Sequence, residues 1–342
     1  MKQNYLLALL SAFILWLAWP PIPYSSLLLL VGFVPLLLAL ENIIKGSYTH
    51  KGRKIFWTSF LTAVVWNILS IYWVFNAMHA FLPTWTSILI ALIPFGLAPL
   101  LMGFVFRLYY AVRKKYNIAW SFLSLISLWI GYEYLHQTWD LAFPWMTLGN
   151  GFANFHQIIQ WYSITGVYGG TLWIWLSNVL IFLCYARFKD KTAVTSLKKL
   201  KFAIAAIVLI PMAISLVQYT IYKEYTNPSA VVVVQPNIDP YEKFGVITPQ
   251  EQLENLIKLS ESVAKPNTEF FIWPETAISN QRGIHEKEFR DYDAYARILL
   301  FLDNYHNGNV LSGIESYDLY NTQVSLTARP FGDKFIENYN AA

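Results

Sequence analysis

Long apolar runs broken by short polar connections fill the chain from Met1 to Tyr222. A membrane-spanning helix needs about 17–25 mostly apolar residues. Seven stretches approach that length: 4–19 (the short one), 25–44, 55–75, 85–111, 117–136, 163–187 and 202–222. Their periodicity suits buried soluble helices equally well. Their number, and the lack of polar faces between them, favour a bilayer. After Asn227 the pattern changes to short β-branched runs and amphipathic stretches, and Thr226-Asn227-Pro228-Ser229 reads as a linker. The expected division is a seven-span membrane domain over 1–226 and a soluble segment over 227–342.

In the soluble segment, Ala230-Val231-Val232-Val233-Val234-Gln235 predicts a buried parallel strand. Thr248-Pro249-Gln250-Glu251 places a capping residue, a first-turn proline and an acid three residues after the cap, so a helix should run from there to about Ala264. Phe270 to Trp273 reads as the second strand, stopped by Pro274. A second helix is expected over 285–304, a third strand over 309–314 and a fourth over 323–327, with Phe335-Ile336 opening another. Strands alternating with helices imply an α/β sheet with crossover helices.

Charge settles the orientation expected for the spans. Only 13% of residues are charged and 56% are hydrophobic, against about 25% charged in an ordinary soluble domain. The formal net charge of +4 comes mostly from three connections. These carry Lys45, Lys51, Arg53 and Lys54; then Arg113, Lys114 and Lys115; then Arg187, Lys189, Lys191, Lys198, Lys199 and Lys201. The intervening connections, 20–24, 76–84 and 137–162, contain no Lys or Arg. Basic loops remain in the cytoplasm, so the N-terminus is expected inside and the segment after Asn227 outside. The charge therefore concerns the membrane, and no nucleic-acid partner is implied. The single cysteine, Cys184, excludes an intrachain disulfide and a cysteine-based zinc site. The first apolar stretch runs into Pro20-Pro21-Ile22-Pro23 and a further apolar run, which reads as a retained helix, not a signal peptide.

Ligands of open α/β sheets collect outside the carboxyl ends of the strands. Glu275 follows the second strand by two residues. A carboxylate there, beside apolar Trp273 and Phe271, is suited to act as a general base; the plain alternative is a surface glutamate in a loop. The same holds for Gln235, Asn237 and Asp239 after the first strand. Glu133, near the outer end of the fifth span, is a candidate because buried acids in membranes are costly, and His136 beside it reads as interfacial. Tyr72-Trp73-Val74-Phe75 and Phe143-Pro144-Trp145 lie toward the outer side, where Trp and Tyr anchor at the interface or line a groove for lipid. The 137–162 loop carries Asp140 as its one charge and is expected to pack under the soluble segment.

Taken together, several motifs resemble the apolipoprotein N-acyltransferase family, the membrane branch of the nitrilase (carbon–nitrogen hydrolase) superfamily. They are Ser70-Ile71-Tyr72-Trp73-Val74, Phe143-Pro144-Trp145 with Leu148-Gly149, Val234-Gln235-Pro236-Asn237-Ile238 with Lys243, Trp273-Pro274-Glu275, and Tyr339-Asn340-Ala341-Ala342 as the start of the family's next strand. The resemblance implies a multipass α-helical membrane domain followed by an incomplete α/β nitrilase-like domain, an α-β-β-α sandwich, in the bacterial cytoplasmic (inner) membrane.

It also implies a Glu–Lys–Cys triad that moves an acyl chain through a thioester. The phospholipid is the acyl donor, and the α-amine of the S-diacylglyceryl cysteine of an apolipoprotein is the acceptor. No metal or organic cofactor takes part, and membrane lipid surrounds the site. Glu275 matches the family's glutamate, the general base. Phe244 stands where the family favours Trp, either against an acyl chain or in simple packing; with Trp73, Trp145 and Glu133 it completes the candidate substrate-binding set.

The family's lysine, its cysteine and its closing eighth span fall beyond Ala342. Lys334 does not occupy the lysine's motif. Cys184 is expected across a hydrocarbon layer of roughly 30 Å from Glu275, so the chain as written is expected to be inactive alone. Two other readings remain. One is a non-catalytic membrane scaffold or binding protein, which the missing nucleophile supports. The other is a multipass transporter with an extracytoplasmic α/β domain, against which stands the near solitude of Glu133 among intramembrane ionisable residues.

Overall fold

The computed structural model describes all residues except 23, 80–81, 190–193, 224–227, 244–245 and 281–282, and the side chains of 194–196 and 240–241. Phe244, Lys191, and Thr226 and Asn227 of the expected linker therefore lie outside the described residues. The chain forms two compact units, Met1–Lys223 and Glu224–Ala342.

The first unit is helical: α1 (Lys2–Leu17), α2 (Val34–Lys45), α3 (Lys51–Ile71), α4 (Trp73–His79), α5 (Thr84–Arg113), α6 (Ile118–Thr138), α7 (Tyr162–Lys189) and α8 (Val194–Ile221). Among the described residues six apolar helical stretches are long enough to cross a membrane, Ser25–Lys45 being counted as one of them. The seventh expected span, 4–19, is α1, and its 16 residues fall just short of the roughly 17 that a crossing needs.

The 25–44 stretch is also not one α-helix. A 3₁₀ turn over Ser25–Leu30 precedes α2, and the break is closed by a side chain from α7. Asn178 accepts from Phe33 N at 2.8 Å and donates to Leu29 O at 2.7 Å. In an apolar medium the backbone groups freed by a break must find protein partners, and the asparagine amide supplies both a donor and an acceptor. Pro94 and Pro99 sit inside α5, and α7 bends at Gly166 (φ 65°). The interior is aromatic: Phe33 stacks on Trp175 with centroids 4.4 Å apart, and Trp66 and Trp129 meet Phe33 edge-on.

The second unit holds two sheets. β1 (Val231–Val233), β2 (Phe270–Ile272) and β4 (Asn309–Leu311) form a parallel sheet in the order β1-β2-β4. β3 (Ile284–His285), β5 (Ile314–Tyr320), β6 (Arg329–Phe331) and β7 (Lys334–Ala341) form a mixed sheet in the order β3-β5-β7-β6. The helices are α9 (Pro240–Lys243), α10 (Pro249–Val263) and α11 (Asp293–Leu302). The expected crossover arrangement is present: α10 connects β1 to β2, and Leu253, Leu256 and Ile257 pack with Val232, Phe271, Ile298 and Phe301.

Three expectations over this unit are corrected. The 285–304 helix is α11 alone, preceded by β3 and a 3₁₀ turn over Glu286–Asp291. The 309–314 run is two strands in different sheets, parted at Ser312-Gly313. No strand forms over 323–327, because local side-chain bonds compete with a ladder there. Ser325 Oγ accepts from Thr327 N at 3.1 Å and Ala328 N at 3.0 Å, and it donates to Glu337 Oε2 at 2.6 Å. The strand that does form, β5, turns Ser316 and Asp318 inward, which breaks the hydrophobic alternation that marks a strand in sequence. Asp318 is held by Lys287 Nζ at 2.6 Å and by Leu319 N at 2.8 Å.

The start of α10 is closed as expected. Thr248 Oγ1 accepts from Glu251 N at 3.2 Å, and Glu251 Oε2 accepts from Thr248 N at 2.9 Å. Those bonds hold the Glu251 carboxyl below its usual range. A depressed folded pKa means that the box contributes above the unfolded carboxylate pKa and is lost as pH falls through the folded value. Thr248→Ala should cost the helix about 1 kcal/mol, read as faster amide exchange over 250–252, and lowering the pH should narrow the gap between wild type and variant.

Candidate active site

Glu275 owes its position to the strand before it. β2 is the centre of its sheet, and the ladder runs one residue further, with Trp273 N donating to Leu311 O at 2.9 Å. Trp273 is buried, and its indole donates to Ser260 Oγ on α10 at 3.0 Å. Pro274 then stops the strand, and Glu275 emerges exposed.

The turn that follows is fixed from three sides. Thr276 adopts φ 48°, a left-handed conformation uncommon outside glycine. Gly313 lies against the turn: its N donates to Pro274 O at 3.2 Å, and its O accepts from Ile278 N at 3.1 Å. A Cβ on Gly313 would stand 2.7 Å from Glu275 Cα and from Thr276 N. Backbone cannot yield as a flexible side chain can, so this position requires glycine. From the third side, Lys243 Nζ donates to Glu275 O at 3.1 Å and to Thr276 Oγ1. Lys243 ends α9, and the buried Gln252 amide donates to its carbonyl at 2.7 Å.

The carboxylate itself accepts from Asn340 Nδ2 at Oε1. Asn340 arrives through register: on β7 it pairs with Glu315 of β5, two residues after Gly313. Glu275 lines two cavities. One, of about 270 Å³, has Gln235, Asn237, Lys243 and Gln252 in its wall. The other, of about 360 Å³, has Trp273, Ser312, Gly313 and Asn340. Such an acid, fixed through its backbone with one oxygen bonded by a neutral amide, is arranged to take a proton from a group entering either cavity. Burial pushes the Lys243 amine below its ordinary pKa, while the Glu275 and Glu315 carboxylates pull it back up.

The membrane unit brings together two of the other candidates. Trp73 opens α4, and Trp145 sits in a 3₁₀ turn over Pro144–Met146. Their rings meet edge-on with centroids 5.4 Å apart, and both are exposed. Glu133, by contrast, is only 2% exposed. Its Oε1 accepts from Trp129 Nε1 and from Leu148 N, each at 2.9 Å, and its Oε2 accepts from Thr171 Oγ1 at 2.7 Å. It lies beneath the segment that carries Trp145. His136 is buried and stacks on Tyr132. Cys184 is half-buried within α7.

Asn340, Gly313 and Thr276 escaped assignment in the sequence. Asn340 is 65 residues from Glu275, and only the β5–β7 register brings the two together. Gly313 gave a weak signal as the one glycine at the end of a strand-like run.

A profile for the apolipoprotein N-acyltransferase N-terminal domain matches residues 11–180. The apolipoprotein N-acyltransferase of Chlorobaculum tepidum is 28% identical over 288 residues, covering 81% of this chain and 50% of the relative. Those of Geobacter metallireducens (28% over 285 residues) and Borreliella burgdorferi (24% over 284) cover 81% of this chain and 51% and 50% of their own lengths. The chain thus spans about half the length of these curated relatives.

The two amines Lys243 and Lys287 should titrate apart. The lowered pKa leaves more of Lys243 neutral at a given alkaline pH, whereas the Asp318 carboxylate raises that of Lys287. Acylation with a water-soluble ester, followed residue by residue by mass spectrometry across pH, should place the Lys243 midpoint below that of Lys287. Gly313→Val, which dislodges the turn that Lys243 contacts, should move the Lys243 midpoint upward.

Proposed function

We propose that this chain, which belongs to the apolipoprotein N-acyltransferase family, serves acyl transfer from a membrane phospholipid to the α-amine of the S-diacylglyceryl cysteine of an apolipoprotein, with Glu275 as proton acceptor. The observation that carries the reading is the seating of Glu275: exposed on a turn locked by Gly313 and Lys243, at the carboxyl end of the central parallel strand, between two cavities.

In the proposed chemistry a cysteine thiol loses its proton to Glu275 and attacks the ester carbonyl of the phospholipid. The carbon–oxygen bond breaks, the lysophospholipid leaves with a proton, and a thioester remains. The acceptor amine then loses a proton to the same carboxylate and attacks the thioester, forming the amide and freeing the thiol. Dividing the transfer this way replaces one difficult step with two easier ones. On this reading the nucleophilic cysteine and the lysine that steadies the oxyanion belong to the part of the family's length that residues 1–342 do not span. Cys184, within an apolar helix, takes no part.

The same reading makes the second unit one half of an α-β-β-α sandwich. α10 and α11 pack on the face of the β1-β2-β4 sheet that carries Val232 and Phe271, while Val231, Val233, Phe270 and Leu311 on the other face are exposed. A second sheet layer is what such an apolar face calls for. It also places the protein in a bacterial inner membrane with the basic helix ends in the cytoplasm, the N-terminus inside and the second unit outside. Trp73 and Trp145 then offer an aromatic edge to lipid at the outer interface, and Phe244, the residue after Lys243 in the sequence, is the proposed acyl-chain contact.

Residues 1–342 purified alone, given phosphatidylethanolamine and a diacylated lipopeptide, should yield no triacylated product by mass. Fused to the remaining length of the Chlorobaculum tepidum relative, they should turn over, and Glu275→Gln in that fusion should lower the rate by roughly 10²–10⁴. Turnover by residues 1–342 alone, or an unaffected Glu275→Gln fusion, overturns the reading. A fusion that folds and binds lipopeptide without turnover favours the non-catalytic scaffold.

A further inference from the structure

The N-terminal end of α3 meets the C-terminal end of α5 through two glycines. A Cβ on Gly52 would stand 2.7 Å from Arg107 Cζ, so the guanidinium lies directly over the glycine backbone. One helical step deeper, a Cβ on Gly103 would stand 3.0 Å from the Phe56 ring. This close approach gathers positive charge at one place. Arg53 and Lys54 stand in the first turn of α3, and Arg107 and Lys114 flank the Tyr110 ring at 5.9 and 5.6 Å from its centroid. The nearby acid, Glu41, is already taken by Lys45 at 3.3 Å and Arg113 at 3.6 Å. Among the described residues no carboxylate pairs with Arg53, Lys54, Arg107 or Lys114.

One turn further along the helices the surface becomes aromatic and apolar. Trp57 is 49% exposed and Phe104 is 50% exposed. Both rings rest on Phe56, with centroids 5.1 Å away in each case. A patch of cations without carboxylate partners among the described residues therefore sits directly above an exposed aromatic wall, at the end of α3 remote from Trp73. The pairing has the profile of an anionic phospholipid: phosphate at the charged level, acyl chains along the wall. Guanidinium groups bind phosphate oxygens through paired donors, and basic pockets between membrane helices hold anionic head groups.

We propose that the α3–α5 seam is a binding site for one anionic phospholipid, its phosphate held by Arg53 and Arg107 and its acyl chains laid against Trp57 and Phe104. The site is separate from the proposed acyl transfer and does not depend on it. Its consequence is a lipid that stays with the protein and braces the two helices, whatever chemistry occurs elsewhere.

The test uses the 342-residue chain purified in detergent and examined intact by mass spectrometry. One phosphatidylglycerol per chain should be retained about tenfold better than phosphatidylethanolamine, the preference of a charge-assisted phosphate contact. Arg53→Gln with Arg107→Gln should abolish that preference, while Lys198→Gln with Lys199→Gln, the same loss of charge elsewhere, should leave it intact. A measurement on wild type alone guards against misfolded variants: phosphatidylglycerol should raise the melting temperature more than phosphatidylethanolamine does. Equal retention of the two lipids, loss of the preference in the Lys198/Lys199 control, or displacement of the lipid by inorganic phosphate at matched concentration would each overturn the proposal. The last outcome would leave only an anion site.

Discussion

A carboxylate buried among helices must be supplied with hydrogen-bond donors from wherever the chain can bring them. Glu133 takes one from Trp129 on its own helix, one from the backbone of Leu148 and one from Thr171 on α7. Thr171 Oγ1 in turn accepts from Gly149 N at 3.2 Å. One acid thus ties two helices to a stretch of 3₁₀ backbone. That stretch can lie so close only because glycine stands at the contacts. A Cβ on Gly149 would collide with the Val167 carbonyl, and one on Gly170 would meet Gly149 Cα at 3.0 Å and the Tyr162 hydroxyl. Gln137 continues the fastening, donating to Thr147 Oγ1 at 3.0 Å and accepting from Tyr168 at 2.7 Å. Trp145 reaches Trp73 from the edge of this anchored segment.

Glu275 is the same residue type in the opposite circumstance. Glu133 is buried, and three donors bond its carboxylate, tying α6 to α7 and to the 3₁₀ backbone. Glu275 has its backbone fixed, by Gly313 and Lys243, and its side chain exposed, with Asn340 as its one donor among the described residues. On the proposed reading, a fixed main chain with an open carboxylate suits a proton acceptor, which must be within hydrogen-bond reach of the group it deprotonates.

Legibility in the sequence followed the range of the interaction. The apolar helices, the capped α10 and the β1 and β2 strands depend on local pattern, and all stand close to where the residues place them. The exposed place of Glu275 just past β2 was legible because Pro274 ends the strand. What escaped depended on distant partners. The break before α2 is permitted by Asn178, some 145 residues away. β5 was hidden because its inward Asp318 is satisfied by Lys287 and His285 from another segment. The failed 323–327 strand looked regular until Glu337, from β7, claimed its hydroxyls. Asn340 was visible as a residue, but its meaning lay in a register that no local pattern specifies.

Charge segregation joins these features. Lys and Arg are concentrated in alternate connections, which the proposed topology puts on one side of the membrane, and the connections 76–84 and 137–162 carry none. At the basic end, cations and aromatic rings can recognise a head group by its charge. At the other end, the segment around Trp145 is held by amides, hydroxyls and an indole, and the acid among them is buried. On the proposed reading, a surface built that way would receive a lipid by shape and apolar contact, not by the sign of its head group. If the chain serves the proposed transfer from a phospholipid to a lipid-bearing acceptor, that arrangement suits it, because an ester carbonyl could then approach without competition from a fixed charge for its phosphate.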